Sequence, residues 1–123
     1  MSTVNLNYED FEKALQVKSI IETEFDKHYT AAKLAHMAGT NELKLRAAFK
    51  IIAGKPLYHY WTIIRMEHAK KLLQTTDLSM KIISNLVGLD KRNFNRQFKR
   101  LTGTTPKHWR NDHYNDQDQL FET

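Results

Sequence analysis

The sequence predicts an all-α fold of about seven helices, in which two copies of a two-helix subdomain are joined by a long central helix. Three observations predict it. Only four Gly and two Pro interrupt 123 residues, so long stretches carry no helix breaker. The strings "LKLRAAFKIIAG" at 43–54 and "RNFNRQFKRLTG" at 92–103 share one pattern, an apolar residue four positions before Phe-Lys and a closing Gly. Between them, "PLYHYWTIIRMEHAKKLLQTT" runs from Pro56 to Thr76 with no break before Asp77.

Taken in order, residues 1–14 form an N-terminal extension that leads into a helix over about 10–25, with Phe11, Leu15, Ile20, Ile21 and Phe25 at helical spacing. The first subdomain, 15–55, then holds the first copy of the repeat. Thr30 is suited to N-capping a short helix over about 31–38, and Gly39 to terminating it in a left-handed conformation. Asn41 caps a second helix, about 42–53, closed by Gly54. Pro56, a favoured first-turn residue, opens the central helix over about 56–74, within a linker spanning 56–75.

The second subdomain, 76–111, repeats the first at a shift of 49 residues without a gap. Ser79 caps about 80–87, Gly88 terminates it, Asp90 caps about 91–102 and Gly103 closes the unit. A short helix follows from Pro106 to about Asn111. The acidic tail, 112–123, is expected to fray.

Within each copy, helix, tight Gly turn and second helix give the form of a helix-turn-helix. Ala35 and Ser84 are small at the matched position one turn before the Gly, where two steeply crossing helices leave no room for bulk. A helical wheel at about 100° per residue then separates the faces of each second helix. Leu45, Ala48, Phe49 and Ile52 form the inner stripe of the first, and Phe94, Gln97, Phe98 and Leu101 that of the second. Leu43, Arg46, Ala47 and Lys50 face outward on one; Arg92, Asn95, Arg96 and Lys99 on the other. Phe49, Phe98, Trp61 and Trp109 read as core aromatics.

Charge follows the repeat. Residues 27–113 carry 17 Lys and Arg against five Asp and Glu, whereas residues 1–26 and 114–123 are net acidic. A positive field this concentrated attracts polyanions, nucleic acid first. An outward α-helix fits the major groove, where Arg forks onto guanine O6 and N7, Asn pairs with adenine, and apolar side chains meet the thymine methyl. On that chemistry Arg92 and Arg96 are the principal base readers, with Asn93 and Asn95 secondary. On the first copy Arg46 reads polar edges, while Leu43 and Ala47 make apolar contacts. Thr30, Lys33, Lys50, Ser79, Lys81, Lys99 and Arg100 are placed at phosphate.

A connecting helix of about 19 residues is roughly 28 Å long, near the 34 Å rise of one duplex turn. The two outward faces differ in sequence, so the expected site is asymmetric and read by a monomer.

Other classes are poorly served. No HExxH, Gly-rich phosphate loop or carboxylate pair appears in the basic region, so no enzyme, metal or cofactor is expected. No apolar run approaches the roughly 18 residues of a membrane span, and no signal-peptide pattern opens the chain. The absence of Cys fits a reducing, cytoplasmic setting. The competing reading is an interaction module that docks on RNA polymerase or another regulator without reading sequence.

Over about 15–111 the chain resembles the AraC/XylS family of bacterial transcription regulators, through "LAHMAGTNELKLRAAFK", "RMEHAKKLLQTTDLSM" and, most specifically, "NLVGLDKRNFNRQFKRLTGTTPKHWR". The resemblance implies a seven-helix double helix-turn-helix that binds double-stranded promoter DNA and, most often, activates transcription by contacting RNA polymerase. It places base contacts on Leu43, Arg46, Ala47, Arg92, Asn93 and Arg96. Three residues depart from the family pattern. Ala47 stands where Arg is usual, which weakens polar base reading by the first copy; Ser84 replaces Ala and Leu89 replaces Phe. Most members also carry a ligand-sensing domain, and no stretch here is long enough to be one, so the expectation is either a stand-alone reader controlled by its abundance or a fragment.

Overall fold

The computed structural model describes residues 4–122, with side chains described as far as Tyr114. Among these residues the helices are α1 (Tyr8–Thr23), α2 (Ala31–Ala38), α3 (Glu42–Ala53), α4 (Leu57–Thr75), α5 (Met80–Leu86), α6 (Lys91–Thr102) and α7 (Pro106–Glu122). The fold is all-α, as the repeat and the scarcity of breakers require. The chain divides into two compact units, between Trp61 and Thr62 within α4.

The first unit is built from α1, α2, α3 and the first turn of α4. Helix α1 begins at Tyr8, inside the stretch read as an extension, because Asn7 and Asp10 close a capping box. The Asn7 amide donates to Asp10 Oδ2 at 2.9 Å, and the Asp10 amide to Asn7 Oδ1 at 3.0 Å. Its buried residues are Asp10, Ala14, Val17 and Ile21; of the residues expected at helical spacing Ile21 is buried, Phe11, Ile20 and Phe25 are half-buried, and Leu15 is 53% exposed. Ala14, Val17 and Ile21 follow i, i+3, i+7 spacing on one side of the helix, and Ala14 and Val17 are small. That allows close approach of α3.

Thr30 caps α2 by accepting from the Lys33 amide at 3.0 Å, and Asn41 caps α3 by accepting from the Lys44 amide at 2.8 Å. Gly39 turns between them at φ 77°, a left-handed value that favours Gly. Ala31, Leu34, Ala35, Leu45, Ala48 and Phe49 complete the core with Leu57 and Trp61 of α4. Two polar ties join α4 to the region around α1. The Trp61 indole donates to the Phe25 carbonyl at 2.7 Å, and the Tyr60 hydroxyl donates to the Glu22 carboxylate, which also accepts from Lys18 at 3.1 Å.

That cluster shifts all three titrations. The Tyr60 hydrogen bond holds the Glu22 carboxyl below its ordinary value, Glu22 raises the Lys18 ammonium, and burial raises the Tyr60 phenol.

The second unit repeats the plan. Ser79 accepts from the Ile82 amide at 3.1 Å to cap α5, and Asp90 from the Asn93 amide at 2.7 Å to cap α6. Gly88 has φ 84° in the turn between them. Ser84 is fully buried, as its small size requires, and its hydroxyl donates to the Lys81 carbonyl at 2.8 Å. Met66, Ala69, Leu73, Ile83, Val87, Phe94 and Phe98 are buried.

Two expectations are corrected in this unit. Leu101, assigned to the inner stripe, is 36% exposed, because α6 buries a narrow stripe centred on Phe94 and Phe98. Helix α7 does not stop near Asn111 but is assigned to Glu122, since no Gly or Pro follows Pro106 and the His113 ring stacks on Trp109 with centroids 3.9 Å apart. The side chains of the acidic tail from Asn115 onward lie outside the described residues.

Candidate nucleic-acid interface

The outward face of α3 begins at its first turn. Burying Leu45, Ala48 and Phe49 turns Leu43, Arg46 and Lys50 to solvent, with Leu43 64% exposed and Ala47 half-buried beside them. Arg46 is already engaged: its Nε donates to Glu42 Oε1 at 3.0 Å, one turn earlier on the same face. Its guanidinium carbon lies 5.2 Å from the centroid of the Tyr58 ring. An exposed ion pair of this kind contributes little stability, so its effect is on where the guanidinium points.

Thr30 and Lys33 are exposed near the start of α2. The amides there are partly committed. Ala31 donates to the Tyr58 hydroxyl at 2.8 Å and Lys33 to Thr30 Oγ, which leaves fewer donors for an anion than the sequence implies.

In the second unit Arg92, Asn95, Arg96, Lys99 and Arg100 are exposed along α6 while Phe94 and Phe98 point inward. Asn93 is half-buried and forms the middle of a polar chain. Its side-chain Nδ2 donates to Asp90 Oδ2 at 2.9 Å, and its Oδ1 accepts from Arg96 Nη2 at 2.5 Å. Asp90 therefore caps the helix and orients, through Asn93, the side chain expected to read guanine. Ser79 and Lys81 are exposed at and after the start of α5.

Of the expected base readers, Leu43 and Arg46 on α3 and Arg92, Asn95 and Arg96 on α6 are exposed, whereas Ala47 and Asn93 are half-buried. The side chains that hold them, Glu42, Tyr58 and Asp90, were not anticipated in that role. The Glu42–Arg46 pair was recoverable from its i,i+4 spacing. The Tyr58 contact was not, because it bridges elements separated by a turn.

Among the described residues, no group of His, Asp and Glu is arranged to hold a metal ion, and no helix is long and apolar enough to cross a membrane.

A family model described as a helix-turn-helix domain matches residues 34–112, more than half of the chain, with most of the first copy of the repeat and all of the second. The chain belongs to the AraC-type helix-turn-helix family of transcription regulators. The AraC-type chain is 32% identical over 102 residues to an uncharacterised helix-turn-helix-type transcriptional regulator of Staphylococcus aureus, an overlap of 82% of this chain and 14% of that protein. It thus spans a small part of that curated relative.

Among solved structures it is similar to the C-terminal domain of a two-component response regulator from Fusobacterium nucleatum. The two share 33% identity with a TM-score of 0.74, over 80% of this chain and 98% of that one. The DNA-binding domain of the global transcriptional factor AdpA, solved with a target DNA, has the same fold at 18% identity, with a TM-score of 0.81 over 87% of this chain and 97% of that one. The family and these relatives are regulators, not enzymes.

Proposed function

We propose that this AraC-type chain is a sequence-specific reader of double-stranded promoter DNA. The outward faces of α3 and α6 enter two major-groove segments of one asymmetric site, and the chain acts as a monomer that activates transcription through RNA polymerase. The observation that carries the reading is the matched exposure of Arg46 on α3 and of Arg92 and Arg96 on α6, each on a helix whose opposite face is buried. Arg in that setting supplies the planar fork that guanine O6 and N7 accept. Lys33, Lys50, Lys81, Lys99 and Arg100 add cations for phosphate, which fix register without reading sequence. The complex of AdpA with its target DNA supports the same use of this fold.

A second reading, docking on a protein without reading sequence, draws on Ile82 and Leu86, which lie exposed four residues apart on α5. Titrating duplex affinity against salt separates the two. Neutralising about six to eight phosphates predicts a log–log slope of about −5 to −7. A slope near zero, with no preference between duplexes, would leave only the docking module.

A further inference from the structure

We propose that Glu42 and Tyr58 are positioning residues that present Arg46 to a guanine, and so set the base preference of the first unit. The proposal rests on the reading of α3 as a groove reader and names what that helix selects.

A free Arg side chain samples many rotamers and loses that freedom when it docks on a base. Arg46 is restrained beforehand on two sides. Glu42 takes the Nε–H at 3.0 Å, and the Tyr58 ring lies 5.2 Å from the guanidinium carbon. The ion pair uses Nε and no terminal nitrogen. Among the described residues neither Nη atom of Arg46 makes a hydrogen bond, so the two-pronged end that matches O6 and N7 of guanine stays available.

The support is itself anchored. The Tyr58 hydroxyl accepts the Ala31 amide at 2.8 Å, and its ring lies nearly parallel to that of Trp61, at 14° and 6.4 Å between centroids. Trp61 is buried and tied to the Phe25 carbonyl. The position of Arg46 is therefore coupled to the core through an aromatic ring. Glu42 adds selectivity, because a carboxylate beside the reading edge is repelled by phosphate and by acceptor-only base edges unless Arg46 stays paired with it.

The arrangement belongs to the first unit alone. At a shift of 49 residues, Glu42, Arg46 and Tyr58 correspond to Lys91, Asn95 and Lys107, which cannot form it. In the second unit Arg96 instead spends one Nη on Asn93.

The test is selection of bound duplexes from a random pool by the whole chain and by Arg46→Ala, Glu42→Gln, Tyr58→Leu and Tyr58→Phe variants. Comparing the parent with Arg46→Ala identifies the base pair that Arg46 reads, and guanine is expected there. Glu42→Gln and Tyr58→Leu should each weaken the preference at that pair by roughly two- to fivefold, as expected for one exposed ionic or cation–π contact. Preferences at pairs read by α6 should not move. Tyr58→Phe, which keeps the ring, should recover most of what Tyr58→Leu loses. Glu42→Gln alters only an exposed side chain and leaves the core intact, so it decides the matter if Tyr58→Leu does not fold. An unchanged preference in Glu42→Gln and in folded Tyr58→Leu, or any base other than guanine at the Arg46 pair, would overturn the proposal while leaving the groove reading in place. If the parent chain enriches no sequence at all, the groove reading itself fails.

Discussion

The Lys13 ammonium on α1 donates to the Gly39 carbonyl at 2.7 Å, so the leading helix grips the turn that sets α3 against α2. Lys13 also pairs with Glu9 at 3.1 Å, which steadies it from behind. Removing the donor in Lys13→Met should lower the stability of the first unit by about 1 kcal/mol, because the carbonyl can still turn to water. Urea unfolding followed by Trp61 fluorescence reads this directly. A midpoint equal to that of the parent would show that the contact is incidental.

Gly54 and Gly103 close α3 and α6 at φ 74° and 81°, and a Cβ at either would meet nothing within 4 Å. The cost of Gly54→Ala or Gly103→Ala is therefore purely conformational, about 1 kcal/mol each, and Asn should cost less than Ala. Thermal unfolding of the Ala and Asn variants at both positions checks the order. Equal losses for Ala and Asn would point to a hidden steric conflict instead.

The Glu22 carboxyl is lowered chiefly by the Tyr60 hydroxyl, with burial opposing and Lys18 assisting. A depressed carboxylate contributes stability above its unfolded value, near the ordinary 4.5, and loses it as pH falls from there through the folded value. Tyr60→Phe should move the Glu22 titration back toward the ordinary value and lower stability at neutral pH by about 1 kcal/mol, discounted for the partial exposure of the pair. Carbon-13 NMR of the Glu22 carboxyl is the measurement. A titration that Tyr60→Phe leaves in place would assign the shift to Lys18.

His68 in the second unit is lowered from 6.5, first by burial and then by Lys71. Its neutral form is favoured in the folded state, so the associated stability is complete above about 6.5 and declines as pH falls. His68→Gln should flatten the fall in stability between neutral and mildly acid pH, as followed through Trp109 fluorescence. Superimposable pH curves for the two proteins would rule His68 out as the titrating group.

On α6, Arg96→Ala should cost about 1–3 kcal/mol on the selected duplex and clearly less on random DNA, the signature of a base contact. Lys99→Ala should weaken both alike and reduce the salt slope by about 1. Gel-shift titrations at several salt concentrations separate the two behaviours. Equal loss on both duplexes for Arg96→Ala would make it a phosphate contact.

Much of the fold was legible because its punctuation is local. Thr30, Asn41, Ser79 and Asp90 each hydrogen-bond an amide three residues ahead, and the repeated Gly supply positive φ where the chain turns, so short-range chemistry alone locates α2, α3, α5 and α6. On α1 the spacing found Ile21 but not Ala14 and Val17, because Leu15 and Phe11 look more apolar than Ala14 and Asp10 and only tertiary packing decides which side is buried. For the interface, the exposure of Arg46, Arg92 and Arg96 followed from periodicity. The groups that aim Arg46 and Arg96 did not, since Tyr58 reaches back from α4 and Asn93 couples two side chains whose rotamers no spacing dictates.

The family match opens at Leu34, yet Ala14, Val17 and Ile21 of α1 are wholly excluded from water and Lys13 reaches Gly39 from the same helix. A fragment trimmed to the matched boundary would leave Leu34, Leu45 and Phe49 short of the surface they are built to cover. A fragment that keeps the packing of the first unit therefore begins at the Asn7–Asp10 cap, 27 residues ahead of where the family match opens.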